Sequence, residues 1–303
     1  MLTANFLVIT SFAIAVQCQV KNIVLTNDDG WAVAQIRAQN DALKAAGFSV
    51  VLSAPTQNES GTGSSSATPG PLTQPCEFNT CPTGSPAEGF NASDPRLNWV
   101  NSFPVDSVRF GIQTLGPKFF GGPPQLVVAG PNVGNNLGTV VLNSGTVGAA
   151  CEAAKEGIPS IAFSGQSNSQ VSFTTLESDP NSLATIAALV NSQLTVKFVN
   201  ALLSGETGTI VPANTTINVN TSGVSGCTDP DDFEFIFARN LANPSATDVA
   251  ACGTTHLPAE SAVISAGGCH ASVSVINAVT KTDVDAATQA VVFNRVQGIL
   301  SCL

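Results

Sequence analysis

Histidine is almost absent. His256 and His270 are the only two in 303 residues, and neither follows an arginine. That excludes an active site built on a histidine nucleophile in an Arg-His-Gly run, and any dinuclear metal centre that needs several imidazole ligands. Both histidines are expected to be structural or exposed. Charge is also sparse: 11% of residues are charged, with 11 Lys and Arg against 21 Asp and Glu, for a formal net charge of −10. An acidic surface repels the backbone of a nucleic-acid polymer, so no such partner is expected. A small anion remains accessible where a metal or backbone amides neutralise it locally. No stretch beyond the N-terminal segment reaches about 18 apolar residues, so no membrane span is expected. No cysteine spacing matches a zinc knuckle, and no internal repeat is visible.

At 43% hydrophobic the chain has enough apolar mass for a sizeable core, in one large domain or two small ones. Low charge with many Gly, Pro, Ser, Thr and Asn suits an extracellular surface. Phe6 to Val16 is an apolar run followed by small residues, too short for a span and without a charged flank. It reads as a signal peptide over 1–18, cut near Cys18, with 19–303 as the mature chain; the alternative is a buried first strand. The eight cysteines agree with export. Cys76 and Cys81 are close enough to pair. Cys227, Cys252, Cys269 and Cys302 allow two more bridges in any of three connectivities. Cys151 lies in an Ala-rich helical pattern and reads as a buried free thiol. Glycosylation sequons occur at Asn58, Asn91, Asn214 and Asn220.

Residues 21–26 (KNIVLT) form a β-branched run, 27–30 a turn, 31–46 a helical pattern stopped by Gly47, and 48–54 a second strand. Strand, helix and strand in this span make a βαβ unit and imply a parallel sheet. Residues 55–98, rich in Ser, Thr, Gly and Pro, read as a long loop excursion. Strands are expected at 125–129 and 159–163 around a Gly/Asn-rich loop (130–144) and a helix (146–156). A long helix follows over 181–203, irregular structure over 207–270, a strand over 271–279 and a closing helix over 283–300.

In an open parallel sheet, ligands bind beyond the carboxyl ends of the strands. Asp28 and Asp29 directly follow the first strand, Ser60 follows the second, and Asn132 follows the QLVVA strand. Two carboxylates, a hydroxyl and an amide carbonyl are hard oxygen donors that suit Mg²⁺ or Mn²⁺, with Ca²⁺ also compatible. A divalent ion between adjacent carboxylates removes their mutual repulsion. The competing reading has Asp28 capping the following helix and Asp29 solvated in its first turn. Ser144, Gly145 and Thr146 open the Ala-rich helix. Free N–H groups and two hydroxyls there make an anion site, or Ser144 is an ordinary N-cap.

The runs IVLTNDDG (23–30), QNESGTGSS (57–65), AGPNVGNNLG (129–138) and NSGTVGAACEAAKEGIPSIAFS (143–164) together resemble the SurE family of metal-dependent nucleotidases and phosphatases. The resemblance covers roughly half the chain and fades after about residue 165, apart from the ASVSVINAV strand. It implies a Rossmann-like α/β three-layer sandwich with a mostly parallel sheet. It also implies C-terminal elements, within 207–303, exchanged between subunits of a homodimer or higher oligomer. It makes Asp28 and Asp29 catalytic metal-binding aspartates, with Ser60 and Asn132 completing the metal site. Asn136 becomes a second active-site asparagine, and Ser144, Gly145 and Thr146 the phosphate-contacting turn. Pro131 stands where the family usually has Ile and Asn143 where it usually has Tyr, which bears on base or substrate preference rather than on the metal ligands. The expected activity is hydrolysis of nucleoside monophosphates or other small phosphate esters, of the 5′/3′-nucleotidase or acid phosphatase type. The alternative is a secreted glycoprotein on a decayed scaffold. Asp283, Asp285 and Thr288 faintly resemble an aspartyl-phosphatase sequence, but Lys281 and Thr282 precede them rather than a buried strand, so a helix N-terminus is expected.

Overall fold

Asn22–Thr26 (NIVLT) forms strand β1, and Ile23, Val24 and Leu25 are all fully buried. Burial on both faces of a strand requires cover on both sides of the sheet, as in α/β proteins. The computed structural model describes residues 21–166, 169–204 and 208–303; the expected signal segment 1–18 lies outside them. In chain order β1 is followed by α1 (Ala34–Ala45), β2 (Ser49–Pro55), β3 (Glu88–Asn91), β4 (Asp94–Val100), α2 (Pro104–Phe110), α3 (Gly116–Phe120) and β5 (Leu126–Val133). Then come α4 (Gly145–Lys155), β6 (Ser160–Gly165), α5 (Thr175–Ser178), α6 (Leu183–Leu203), β7 (Thr215–Thr221) and β8 (Glu234–Phe237). The chain closes with α7 (Glu260–Ser265), β9 (His270–Asn277), α8 (Ala286–Val296) and β10 (Leu300–Ser301).

The strands form one sheet in the order β10-β8-β9-β7-β6-β5-β1-β2-β4-β3. From β4 to β7 all neighbours are parallel, while β3 and β9 run antiparallel to β4 and β7. Alternate side chains divide the core between the two faces. Ile23 and Leu25 join Ile36 and Leu43 of α1, Leu194 and Phe198 of α6 and Val292 of α8. Val24 points the other way and joins Val108 of α2 and Val147 and Cys151 of α4. Phe198 anchors the first layer, with ring centroids 5.9 Å from Phe163 and 5.6 Å from Phe235. Small residues, Ala149, Ala150 and Ala153, let α4 lie close against the second face.

Several expectations are corrected. The loop excursion over 55–98 contains a β-hairpin, β3 and β4, and 207–270 contains β7 and β8. The first helix starts at Ala34 rather than Trp31, and the last spans Ala286–Val296 rather than 283–300. By length and mean hydropathy α6 is long and apolar enough to cross a membrane, and 61% of that window is buried inside the fold. Within the chain, residues 207–303 extend the sheet through β7, β9, β8 and β10.

Cys76 pairs with Cys81, Cys227 with Cys269 and Cys252 with Cys302, while Cys151 is free and buried. Asp285 caps α8, its carboxylate accepting from Thr288 N at 2.8 Å. His256 is exposed, and His270 lies 3.6 Å from Glu234 at the start of β9.

Candidate active site

The chain leaves β1 toward β2 and β4 on one side, then returns through β5 to β6 and β7 on the other. The reversal between β1 and β5 opens a crevice at their carboxyl ends, where ligands bind in such sheets. Asn27 closes the turn after β1: its Nδ2 donates to Gly30 O at 3.0 Å and its Oδ1 accepts from Gly30 N at 3.2 Å. Gly30 sits at φ +112°, and a Cβ there would collide with the Glu77 carboxylate. That turn points both aspartates into the crevice, at 2% and 0% exposure for Asp28 and Asp29.

Asp28 does not cap α1, whose N-cap is Val33 and makes no side-chain bond. It meets the N-terminus of α4 instead. Asp28 Oδ2 accepts from Thr146 N at 3.0 Å, and Oδ1 from the Thr146 hydroxyl at 2.5 Å. Gly145 permits that approach, because a Cβ there would lie 2.9 Å from Asp28 Cβ and 3.0 Å from Pro104 Cγ. Gly145→Ala is therefore expected to displace Asp28 and lower turnover by about 100-fold, with circular dichroism unchanged. Normal turnover would show that the close approach is dispensable.

Asp29 Oδ2 accepts from Val133 N at 2.9 Å, and its Oδ1 accepts from Gln170 Nε2. All groups bonded to the two carboxylates are thus neutral. Burial raises the Asp28 carboxyl above its usual range, against the opposing Thr146 bonds. Burial, then the Asp28 charge, raises Asp29 well above it. Burial and the Asp28 charge also raise Glu59, and burial pushes Glu77 up to about 7.

The Ser60 loop is tied to this turn. Glu59 N donates to Asp28 O at 2.7 Å and Gly63 N to Asn143 O at 2.9 Å, beside the start of α4. Ser60 itself is exposed, with its N–H donated to Asn58 Oδ1 at 2.8 Å. Asn132 donates its Nδ2 to Gly134 O at 2.7 Å, so a cation would meet its carbonyl oxygen. Among the described residues no three His, Cys, Asp or Glu side chains cluster around a metal position. An ion here would rest on two carboxylates supplemented by neutral oxygens. The donor set fits a hard divalent cation, whose charge would compensate two buried carboxylates that now have none.

Of the expected anion contacts, Ser144 caps α4, accepting from Val147 N at 3.0 Å on its Oγ; the hydroxyl proton remains available to donate. Thr146 has both donors committed to Asp28. Asn136 is 4% exposed, and its Nδ2 donates to Ser164 Oγ at 2.7 Å.

Gln170, Asn58, Asn218 and Asn220 were not anticipated as parts of the site. Asn58 Nδ2 donates to Gln170 Oε1 at 2.9 Å, and Gln170 binds Asp29. Asn220 is fully buried in β7 and grips the Asn136 main chain. Asn220 is one of the four sequons, but the folded strand leaves no room for a glycan there. Glycopeptide mass spectrometry of protein passed through a eukaryotic secretory pathway is expected to find glycan at exposed Asn214 and at Asn91, and little at Asn58 or Asn220. Full occupancy at Asn58 in active protein would show that its contact with Gln170 is not needed.

The "Survival protein SurE" family model matches residues 23–237, which includes every candidate site residue. The chain belongs to the SurE family. It is 33% identical over 311 residues to an acid phosphatase of Yarrowia lipolytica, covering 90% of this chain and 84% of that one. It is 38% identical over 143 residues to the 5′-nucleotidase SurE of Lawsonia intracellularis, spanning 47% of this chain and 50% of the relative. Among solved structures, the SurE protein of Aquifex aeolicus superposes with a TM-score of 0.59 at 25% identity, over 86% of this chain and 94% of that one. The mostly parallel sheet between two helical layers is thus shared with a SurE structure, and the bacterial nucleotidase resembles only about half of this chain.

Proposed function

We propose that this SurE-family chain is a secreted, metal-dependent phosphomonoesterase acting on nucleoside monophosphates or other small phosphate esters. The observation that carries the reading is the pair of buried, adjacent carboxylates at the β1/β5 crevice, bonded only to neutral donors, with Asp28 meeting the N-terminus of α4 and Asp29 held by Val133 and Gln170. Asp28, Asp29, Ser60 and Asn132 would hold Mg²⁺ or Mn²⁺, and Ca²⁺ suits the same oxygens. Such an ion, when bound, supplies charge stabilisation to a transferring phosphoryl group and acidifies a bound water. The chain's own groups do the rest. Thr146 and Gly145 fix Asp28, while Val133 and Gln170 fix Asp29. The Ser144 hydroxyl and the remaining amide hydrogen of Asn136 would orient the phosphate, since the first N–H groups of α4 are already held by Asp28 and Ser144.

The ester's organic part has a place as well. A groove of about 500 Å³ opens at the carboxyl ends of β6 and β7, lined by Gln166, Ser222, Gly223, Val224 and the Cys227–Cys269 disulfide. Val133 pairs with Gly165 and Gly165 with Thr221, so the groove begins two strand spacings, about 10 Å, from the bond to Asp29. Its uncharged lining suits a neutral nucleoside or sugar. An acidic chain with net charge −10 disfavours a nucleic-acid polymer as substrate. Residues 1–18 serve as the signal peptide and 19–303 as one phosphatase domain, and three disulfides accord with export. A homo-oligomer is part of this reading, tested by sedimentation.

Release of phosphate from p-nitrophenyl phosphate and from 5′- and 3′-nucleotides is expected with Mg²⁺ or Mn²⁺, to be lost in EDTA, and to return on adding metal. Folded protein that releases none under any metal would instead favour a decayed scaffold.

A further inference from the structure

The face of β7 and β9 turned toward α7 carries a cluster of buried polar side chains. Asn218 lies opposite Ser274 and Asn220 opposite Ser272, with Ser164 of β6 beside Asn220. All five are buried, at 0–1% exposure. Such a patch in a central sheet is costly unless its groups are bonded, and here the bonds converge on one residue. Asn136 N donates to Asn220 Oδ1 at 2.7 Å. Asn136 O accepts from Asn218 Nδ2 at 3.0 Å and from Asn220 Nδ2 at 3.2 Å. Both main-chain groups of Asn136 are therefore held by side chains of β7. Asn218 in turn is oriented by Glu260, whose Oε1 accepts from Asn218 Nδ2 at 2.9 Å and from Ser274 Oγ at 2.5 Å. Glu260 is the first residue of α7 and is 0% exposed. It lies beyond residues 23–237, the span matched by the family model.

We propose that Glu260 is a positioning residue for the active site: through Asn218 it fixes the main chain of Asn136 and holds that residue in register with Asp28 and Asp29. This rests on the phosphomonoesterase reading for its catalytic consequence. The two hydrogens of the Asn218 amide have separate acceptors, Glu260 and Asn136. Losing the first frees the amide to rotate away from the second. A carboxylate is not required for this, because a glutamine carbonyl accepts the same bonds. Shortening or removing the side chain is not tolerated in the same way.

The test uses the full chain as wild type, E260Q, E260A, E260D, N218A and the E260A/N218A pair. Phosphate release is followed in kcat and KM separately, and amide exchange is measured across 134–138. E260Q is expected to keep near-normal kcat. E260A is expected to lose about 10- to 100-fold, chiefly in kcat. N218A in an E260A background is expected to add little, since the two act in series. The Asn136 amide is expected to exchange faster in E260A and at the wild-type rate in E260Q. Should E260A not fold, E260D, which keeps the carboxyl but withdraws it by one methylene, is expected to show the same loss and the same faster exchange. Equal loss in E260Q and E260A, or additive losses in the pair, overturns the relay, as does unchanged exchange in a folded E260A or E260D. Exchange needs no turnover, so an inactive wild type would overturn the phosphomonoesterase reading while the relay is still decided.

Discussion

Asp28→Asn and Asp29→Asn are each expected to fold, to lose turnover by about 1,000-fold or more, and, for Asp29→Asn, to melt higher than the wild type in EDTA. A loss of about 4 kcal/mol of charge stabilisation at a phosphoryl-transfer transition state corresponds to about 1,000-fold. Each amide keeps the shape of the carboxylate it replaces, so the fold has little reason to fail. The stability gain follows from linkage. Burial and the Asp28 charge place the folded-state pKa of Asp29 well above its ordinary 3.8. The unfolded chain gives up that proton near 3.8 and the folded chain resists, so metal-free stability is fully present below that pH and is lost as pH rises toward the folded value. The Asp29→Asn variant has no proton to lose at this position, so its curve falls less steeply than the wild type's while the other raised carboxyls still titrate. Added Mn²⁺ or Mg²⁺ is expected to raise the wild type and leave the variants nearly unchanged. Calorimetry with and without EDTA reads the stability, and phosphate release reads the rate. Near-normal rates in both folded variants would remove the aspartates from the chemistry.

Such a trade of stability for chemistry explains which parts of the site were legible in the sequence. Asp28 and Asp29 stand out because a paired carboxylate after a β-branched run has few structural uses. Even so, the sequence left open that Asp28 caps a helix, and it does meet a helix end, of α4 rather than α1. The partner lies 118 residues away, and local pattern carries no information at that distance. Gln170, Asn58 and Glu260 were illegible for the same reason: each acts through a neighbour brought close only by the sheet order.

The fold itself divides similarly. Runs such as NIVLT and SIAFSG declare themselves as strands because both faces are apolar. In TTINVNT, Ile217 and Val219 alternate with Asn218 and Asn220. The period-2 pattern was available, but alternation with asparagine reads as a solvated face or as irregular chain. The structure buries those asparagines because the loop carrying Asn136 needs partners for its main chain. In β4 (DPRLNWV) only the last four residues are fully buried, and Pro95 and Arg96 obscure the strand. α2 and α3, over 104–120, had no counterpart in the sequence reading. Glycines at 111 and 116 and a proline at 117 break the helical period.

The same buried polar patch leads to the second large effect, on stability and not on rate. E260Q is expected to be more stable than the wild type at pH 8.5 by a few kcal/mol, about 5 at most, and indistinguishable from it near pH 4.5. Burial, with the Asp283 charge adding to it, pushes the Glu260 carboxyl from 4.5 up to about 8, against the bonds from Ser274 and Asn218. Below pH 4.5 the carboxyl is protonated in both folded and unfolded chains, so its titration costs nothing. Between 4.5 and about 8 the unfolded chain ionises while the folded chain holds its proton, and stability declines with each step in pH. Above about 8 both forms are ionised and the loss is complete. Glutamine retains the two bonds at Oε1 and cannot ionise, so the variant escapes the decline. In a chain of this size the gap corresponds to about 5 °C or more in melting temperature at pH 8.5, read by parallel thermal melts from pH 4 to pH 9. A gap of constant size across that range would show that Glu260 does not titrate in the folded protein, and a less stable E260Q at pH 8.5 would show that its charge is compensated. Growth of the gap from pH 4.5 upward would make this protein one whose interior favours acid surroundings, through a residue lying beyond the span it shares with the family model.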